Sequence, residues 1–145
     1  MRGLIQRVKS ANVVVNEELV GAIDQGILLF LGVERGDDQV AMKKMLNKVL
    51  SYRIFSDAEG KMNLSLADVA GGLLVVSQFT LAAETKKGLR PGFSNAAEPS
   101  LARDLYQQFL LDAKSIHHCV ESGIFAADMQ VSLINDCPVT FLLET

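Results

Sequence analysis

The sequence predicts an α+β fold: a single domain in which a curled, mixed or antiparallel β-sheet forms a barrel-like layer with two main helices packed on it. Three observations favour this class. Strand-like segments with short connections occupy both ends of the chain, two amphipathic helical segments interrupt them, and no glycine-rich phosphate loop joins a strand to a helix. A length of 145 residues suits one domain, so we expect residues 1–145 to form it.

The first part of the chain has the pattern of a small sheet. Residues 4–15 alternate apolar and polar side chains, which is typical of one strand or of two strands separated near residues 10–11. The turn-forming residues 16–18 and the following residues 19–23 predict a hairpin. Residues 27–33 are apolar without interruption, which indicates a central strand buried on both faces.

A helix is predicted after these strands. Asp37 or Asp38 is placed to cap its start. Its apolar side chains recur at the helical period and form one stripe: Met42, Met45, Leu46, Val49 and Leu50. Beyond the helix we expect a short strand at residues 52–55 and a single turn or short helix at residues 63–70.

The second part of the chain contains a strand, a long loop and another helix. Two glycines open a buried strand at residues 73–76. Residues 82–98 form the longest irregular segment, and loops of this length in compact domains are usually functional or disordered. Pro99 suits a helix start, and we expect that helix to end near His118. Its apolar stripe comprises Leu101, Ala102, Leu105, Tyr106, Phe109, Ala113 and Ile116.

Two further strands complete the predicted sheet, at residues 129–134 and 139–143. Residues 135–138, with the sequence Asn-Asp-Cys-Pro, have the composition of a turn. The sequence therefore predicts two separate strands joined by a turn that contains a proline.

The composition narrows the classes of function. Hydrophobic and charged contents of 49% and 21% lie near globular averages. Apolar runs stay far below the roughly 18 residues of a membrane span, and no cleavable leader is recognisable, so we expect a cytoplasmic protein with no membrane partner. A net charge of −3 argues against wrapping DNA or another long nucleic acid, but it allows a small footprint on one nucleic-acid end. Cys119 and Cys137 are expected to be reduced thiols.

Four polar or aromatic residues follow the buried strand directly: Ser77, Gln78, Phe79 and Thr80. We expect them at the rim of the sheet. Taken alone, the hydroxyls of Ser77 and Thr80 are best explained as partners for backbone groups at a strand end. Backbone amides fixed at such an end also stabilise an oxyanion without any titrating side chain. The segment is therefore a candidate site for a hydrolase whose substrate brings its own base.

Other catalytic arrangements have weaker support. A hydroxyl nucleophile needs a base, and the histidines are the neighbours His117 and His118 at a helix end, whose side chains diverge by about 100°. The same divergence argues against a metal site at residues 117–119, and we expect no metal and no cofactor. The acidic pairs at residues 17–18 and 37–38 occupy turn or cap positions.

A basic segment lies in the predicted long loop. Lys86, Lys87 and Arg90 are close enough in the chain to hold phosphates of a nucleic acid. By charge alone, a solvated loop explains them at least as well.

Five segments carry a resemblance to a known family. In chain order they are Leu4-Ile5-Gln6-Arg7-Val8, Tyr52-Arg53-Ile54-Phe55-Ser56-Asp57, Ser77-Gln78-Phe79-Thr80-Leu81, Phe125-Ala126-Ala127-Asp128-Met129-Gln130-Val131-Ser132-Leu133 and Asn135-Asp136-X-Pro138-Val139-Thr140. Together they resemble D-aminoacyl-tRNA deacylase, also called D-tyrosyl-tRNA deacylase. The match runs in register from Leu4 to Leu143 and covers nearly the whole chain.

The resemblance implies a homodimeric hydrolase. It implies hydrolysis of the ester between a D-amino acid, or glycine, and the 3′ end of a tRNA, while L-aminoacyl-tRNA is spared. In this family attack is usually described as assisted by the terminal 2′-hydroxyl of the tRNA, which agrees with the missing protein base. A Gly-cisPro dipeptide of the partner subunit reaches into the pocket and excludes L side chains through its main-chain carbonyls.

The resemblance also assigns residues to the site. Ser77, Gln78, Phe79 and Thr80 would form the catalytic pocket, without a covalent role being implied for Thr80. Arg7 would help to orient the selectivity dipeptide. Two residues would sit against the terminal adenosine, Phe125 and Met129, although both are also typical of an apolar core.

One position departs from the family pattern, because Cys137-Pro138 stands where the family has Gly-Pro. A cysteine forced to a positive φ would be strained by about 1 to 3 kcal/mol. Otherwise its side chain would narrow the pocket. The departure keeps a second function open, a dimeric protein that binds the tRNA 3′ end without turnover. A general small-ester hydrolase is a third, and it predicts cleavage of esters that lack a 2′-hydroxyl.

Overall fold

The computed structural model describes residues 1–86 and 88–145. Its regular elements, in chain order, are β1 (Arg2–Val15), β2 (Glu18–Ile23), β3 (Gly26–Gly32), α1 (Gln39–Ser51), β4 (Phe55–Ser56), β5 (Met62–Leu64), β6 (Gly72–Ser77), α2 (Pro99–Ile116), β7 (Val120–Ser122) and β8 (Gln130–Glu144). A short 3-10 helix, Phe79–Ala82, follows β6. Among the described residues, neither α-helix is long and apolar enough to cross a membrane.

The main sheet is mixed and curls on itself. Its order is β2-β1-β3-β6-β7, and β8 pairs with β1 along nearly the whole length of β1. The β3–β6 and β6–β7 pairs are parallel, whereas the pairs that involve β1 are antiparallel. The edge strands β2 and β7 lie against each other. The approach is so close at Gly21 of β2 that a methyl group there would lie 2.8 Å from the carbonyl O of Ser122 in β7. The predicted α+β class with a barrel-like sheet and two main helices is confirmed.

The central strands bury side chains on both faces. Leu29 and Val75 face a large apolar core that they share with the two helices. Their neighbours Leu28, Leu74 and Val76 face a second core inside the curled sheet. This division explains why β3 and β6 are apolar without alternation, since a strand covered on both faces has no solvent side.

The helices begin where the sequence predicts. Asp38 caps α1, and its carboxylate accepts a hydrogen bond from the amide of Ala41 at 2.9 Å. Asp37 instead accepts from the amide of Glu34 at 2.7 Å. Pro99 is the first residue of α2. The middle of each predicted apolar stripe faces the shared core, through Met42, Met45, Leu46 and Val49 of α1 and Leu105, Tyr106, Phe109 and Ala113 of α2. The stripe predicted for α2 is too long, because Leu101 and Ile116 at its two ends are exposed.

The connection between α1 and β6 differs from the prediction. The strand expected at residues 52–55 is limited to Phe55–Ser56, because the carbonyl of Ile54 accepts a hydrogen bond from the Arg7 side chain and not from a neighbouring strand. The expected turn or short helix at residues 63–70 begins later, since Met62–Leu64 pairs with β4. Asp57 organises this hairpin, and hydrogen bonds from the amide of Lys61 and the side chain of Asn63 lower the pKa of its carboxyl.

The prediction of two final strands joined by a turn is wrong. Residues Gln130–Glu144 form one strand, β8, interrupted by a bulge. Gln6 pairs with Thr140 and Val8 with Asn135, so residues 136–139 of β8 lie opposite the single residue Arg7 of β1. The turn-like composition is absorbed as a bulge because β1 continues alongside β8 on both sides of it.

Candidate active site

An open cleft of about 550 Å³ lies where β6 ends, between the sheet, the start of α2 and the loop that follows β7. Five of the residues predicted for the site line it: Ser77, Gln78, Phe79, Phe125 and Met129. The other lining residues are Phe30, Val76, Ala96, Ala97, Pro99, Ala102, Ala126, Ala127, Asp128 and Val131. The cleft is therefore largely apolar, with its polar groups at the end of β6 and at Asp128.

The end of β6 is fixed to the neighbouring strand. The amide of Gln78 donates to the carbonyl of Leu31 at 2.8 Å, and the chain then turns into the 3-10 helix Phe79–Ala82. The amides of Phe79 and Thr80 have no acceptor among the described residues. The side-chain amide of Gln78 donates to the hydroxyl of Thr80, which is exposed and lies beside the cleft without lining it. Two backbone donors are thus free just beyond β6, and one of them belongs to Phe79, which lines the cleft.

An aromatic pair marks one edge of the cleft. Phe79 is 64% exposed, and its ring centroid lies 5.2 Å from that of Phe93. Phe93 belongs to the irregular segment before α2. That segment is anchored to the end of β3, since the amide of Ala97 donates to the carbonyl of Val33.

The opposite edge is formed by the loop between β7 and β8. Phe125 and Met129 face the cleft from this loop, and Ala126 between them has a φ of 62°. Gly123 makes room for the thioether, because a methyl group on Gly123 would lie 2.5 Å from Sδ of Met129. Both residues are half-buried, so they form a surface open to a ligand as well as a cover for the core.

Tyr106 of α2 supports this loop and β6 together. Its hydroxyl donates to the carbonyl of Val75 at 3.0 Å and lies 3.4 Å from that of Gly123, and its ring centroid is 5.7 Å from the ring of Phe125. Burial raises the pKa of Tyr106 to about 12. The residue therefore acts as a neutral hydrogen-bond donor under ordinary conditions.

Arg7 holds the bulge of β8. Its side chain is 7% exposed and donates from Nη1 to the carbonyl of Ile54 at 2.6 Å. Its Nε donates to the carbonyl of Asp136 at 3.2 Å and lies 3.2 Å from the carboxylate of the same residue. Arg7 thus contacts the residue directly before Cys137-Pro138 in its own chain.

Cys137 and Pro138 are exposed on this bulge and do not line the cleft of their own chain. Cys137 has a φ of 84°, the left-handed region that favours glycine. Among the described residues no peptide bond is cis, and the Cys137–Pro138 bond is trans.

The basic loop lies outside the cleft. Two backbone hydrogen bonds between Glu84 and Gly92 close this loop. Lys86 and Arg90 lie within the loop and are exposed. Neither lines the cleft. Lys87 lies outside the described residues.

The histidines are remote from the candidate site. His117 is buried, and its Nε2 lies 2.7 Å from the carbonyl of Gly71, before the first residue of β6. Ser77 ends the same strand, so roughly 20 Å of strand separates Ser77 from the residue that His117 contacts. The described residues contain no group of three or more His, Cys, Asp or Glu placed to hold a metal ion.

Sequence reasoning missed the small residues that shape the cleft. Ala96, Ala97 and Ala102 come from the start of α2 and the segment before it, and only their position opposite β6 makes them part of the site. Asp128 lies within a segment that carries the resemblance, but the pattern of that segment gives no sign that Asp128 lines the cleft.

Fold and site together define a class: a small α+β protein with a curled mixed sheet and an apolar cleft edged by free backbone amides. The family model for D-Tyr-tRNA(Tyr) deacylase matches residues 4–144. The chain belongs to the D-aminoacyl-tRNA deacylase family, and the predictions of the family and of a hydrolase are confirmed.

The relatives cover the whole chain. D-aminoacyl-tRNA deacylase of Pseudomonas fluorescens (strain Pf0-1) is 61% identical over 145 residues, which is 100% of both chains. The protein of the same name from Pseudoalteromonas translucida (strain TAC 125) is 62% identical and covers 99% of each chain.

Solved structures show the same fold. The c-Myc DNA unwinding element binding protein superposes with a TM-score of 0.95 at 37% identity, covering 100% of this chain and 99% of its own. A probable eukaryotic D-amino acid tRNA deacylase has a TM-score of 0.82 at 17% identity, with coverages of 99% and 98%, and shares the fold.

Proposed function

We propose that the protein hydrolyses the ester bond of D-aminoacyl-tRNA, and of glycyl-tRNA mischarged on other tRNAs, releasing the free amino acid and the tRNA. The observation that carries the proposal is the cleft at the end of β6, where the amides of Phe79 and Thr80 have no acceptor among the described residues. The family to which the chain belongs supports the substrate class. We further propose that residues 1–145 act as one domain in the cytoplasm.

The proposed mechanism uses backbone donors and the substrate's own hydroxyl. Water adds to the ester carbonyl carbon with assistance from the terminal 2′-hydroxyl of the tRNA, and the carbon–oxygen bond to the ribose then breaks. The amides of Phe79 and Thr80 stabilise the oxyanion, an interaction that typically contributes about 2.7 to 4 kcal/mol per donor. Ser77 and Gln78 shape the pocket, and Gln78 orients Thr80 through their hydrogen bond.

Chiral selection is proposed to need a second copy of the chain. Cys137 and Pro138 do not line the cleft of their own chain, so a homodimer would bring Cys137 of the partner subunit to it. Apolar side chains exposed on β8 support this strand as part of the contact, namely Ile134, Phe141 and Leu142. Arg7 would orient the dipeptide through Asp136.

The tRNA 3′ end is proposed to enter along the apolar side of the cleft. Phe125 and Met129 offer the surface for the terminal adenosine. Lys86, Lys87 and Arg90 are proposed to contact phosphates further along the acceptor end, which fits the exposure of Lys86 and Arg90.

The proposal is tested by release of free D-tyrosine from D-Tyr-tRNA with substrate in large excess over protein. Repeated turnover is expected with D-Tyr-tRNA, and none with L-Tyr-tRNA. A D-Tyr-tRNA whose terminal ribose lacks the 2′-hydroxyl should be cleaved far more slowly. Equal cleavage of that substrate would favour a general ester hydrolase and remove the proposed mechanism.

A second function is a dimeric protein that binds the tRNA 3′ end without turnover. The observation that favours it is the side chain of Cys137 at a φ of 84°, where the family has glycine. This function predicts binding of D-Tyr-tRNA with at most one release per subunit in the same assay.

A further inference from the structure

The cleft lacks a positive charge of its own. Among the described lining residues, Asp128 is the charged one, and it is acidic. A nucleic-acid end brings phosphates, whose binding depends on basic side chains. Any cation that contacts the phosphate next to a terminal nucleoside in this cleft must therefore come from outside the lining residues. This argument rests on the proposed function, because it assumes an RNA 3′ end in the cleft.

Arg103 stands at the rim of the cleft. It is an exposed residue of α2, and its guanidinium carbon lies 5.5 Å from the ring centroid of Phe125, which lines the cleft. Tyr106, one turn further along α2, contacts the same ring. Phe125 therefore contacts two side chains of one helix, and Arg103 is the exposed one of the two.

The other arginines with described contacts are engaged by carboxylates. Nε of Arg2 lies 2.9 Å from the carboxylate of Glu34, and Arg7 is paired with Asp136. Arg103 makes no such ion pair among the described residues. Its contact is with an aromatic face, which leaves the N–H edge of the guanidinium free.

We propose that Arg103 binds a phosphate of the single-stranded RNA 3′ end. A guanidinium stacks on an aromatic ring through its face and donates paired hydrogen bonds to phosphate through its edge, so both contacts are possible at once. Phe125 thereby fixes the position of the cation before the RNA arrives. Arg103 acts on substrate affinity and not on the bond-breaking step.

Three variants distinguish the contribution of the Arg103 charge, that of its planar guanidinium, and that of the overall charge of α2. Arg103→Gln removes the charge, and Arg103→Lys keeps it but loses the planar fork. Lys114→Gln is the matched control, because it removes one charge from the same helix about 16 Å further along its axis. Binding of fluorescently labelled tRNA that carries no amino acid is measured by fluorescence anisotropy from 50 to 300 mM KCl. KM and kcat are measured with D-Tyr-tRNA as substrate.

For Arg103→Gln we expect a Kd and a KM raised about tenfold, with kcat unchanged, and a slope of log Kd against log salt reduced by about 0.7. Arg103→Lys should keep the wild-type slope with a smaller rise in Kd. Lys114→Gln should match the wild type. A wild-type Kd and slope for Arg103→Gln would overturn the proposal, as would a fall in kcat with KM unchanged.

The binding arm keeps this inference separate from the proposed function. If the wild type binds tRNA but releases no D-tyrosine, the hydrolytic function fails while the salt slopes still decide the role of Arg103. If the wild type turns over and Arg103→Gln binds as tightly as the wild type, the role of Arg103 fails alone.

Discussion

The two segments that the proposed function brings to one site, the end of β6 and the bulge of β8, are held in different ways. β6 is buried from Gly72 to Val76 and hydrogen-bonded on both sides, to β3 and to β7. The bulge exposes Cys137 and Pro138 and depends on the side chain of Arg7. Changes near β6 should therefore lower the free energy of unfolding more than changes at the bulge.

The largest loss of stability is expected for Gly26→Ala, which disturbs the pairing of β3 with β6. A methyl group on Gly26 would lie 1.9 Å from the carbonyl O of Gly72, a backbone atom that cannot move without separating β3 from β6. We expect a loss of more than about 3 kcal/mol in the free energy of unfolding, measured with urea. The control is Gly92→Ala, where the nearest atoms lie at 3.9 Å and little change is expected.

Arg7→Met tests the other half of the comparison. It leaves the carbonyls of Ile54 and Asp136 without their donor and the Asp136 carboxylate without its partner. We expect a loss of about 2 to 3 kcal/mol, below the range for a fully buried pair because the Asp136 side chain is 30% exposed. Arg7→Lys should recover part of it. An unchanged free energy of unfolding in Arg7→Met would mean that the bulge of β8 does not depend on Arg7.

The support of β6 by Tyr106 predicts a dependence on alkaline pH. The pKa of Tyr106 is raised from 10.0 to about 12, so the neutral side chain is favoured in the folded state. The resulting stability is complete below about pH 10 and is lost as pH rises towards 12. Relative to Tyr106→Phe, the wild type should lose about 2 kcal/mol between pH 9 and pH 12. A constant difference between the two proteins would contradict this.

The smallest change in stability is expected at the bulge itself. Cys137→Gly relieves the strain of a φ of 84° but adds freedom to the unfolded chain, so we expect a gain of at most about 1 kcal/mol. The deacylation rate on D-Tyr-tRNA should rise if the cysteine side chain narrows the partner's cleft. Cys137→Ala is the control that keeps the strain and removes the thiol. Equal rates for wild type and Cys137→Gly would end the hypothesis of a narrowed cleft.

The same comparison explains what could be predicted from the sequence. The uninterrupted apolar residues of β6 and the helical stripe of α1 are local patterns, and both predicted the observed burial. Residues 135–138 carry equally clear turn chemistry, yet they form a bulge because β1 runs past them. That outcome depends on a strand more than a hundred residues away in the chain, which no local pattern reports.

The cleft was predicted in part for a related reason. Ser77, Gln78 and Phe79 follow a recognisable strand and carry a family resemblance, so they were identified. Ala102 was predicted only as part of the apolar stripe of α2, and Asp128 carries no signal of a site, so neither could be assigned to the cleft from the sequence. The contact of Arg7 with Ile54 could not be foreseen, since it joins segments whose pairing the sequence does not reveal.

The pairing of β1 with β8 has a consequence for how the chain folds during its synthesis. During synthesis, β1 emerges well before residues 130–144 exist to cover it, so one of its edges stays open while most of the chain is made. Such late closure between distant segments slows folding and exposes a strand edge to other chains. Arg7 can contact Asp136 only after nearly the whole chain has been made, so the bulge of β8 cannot form before that point.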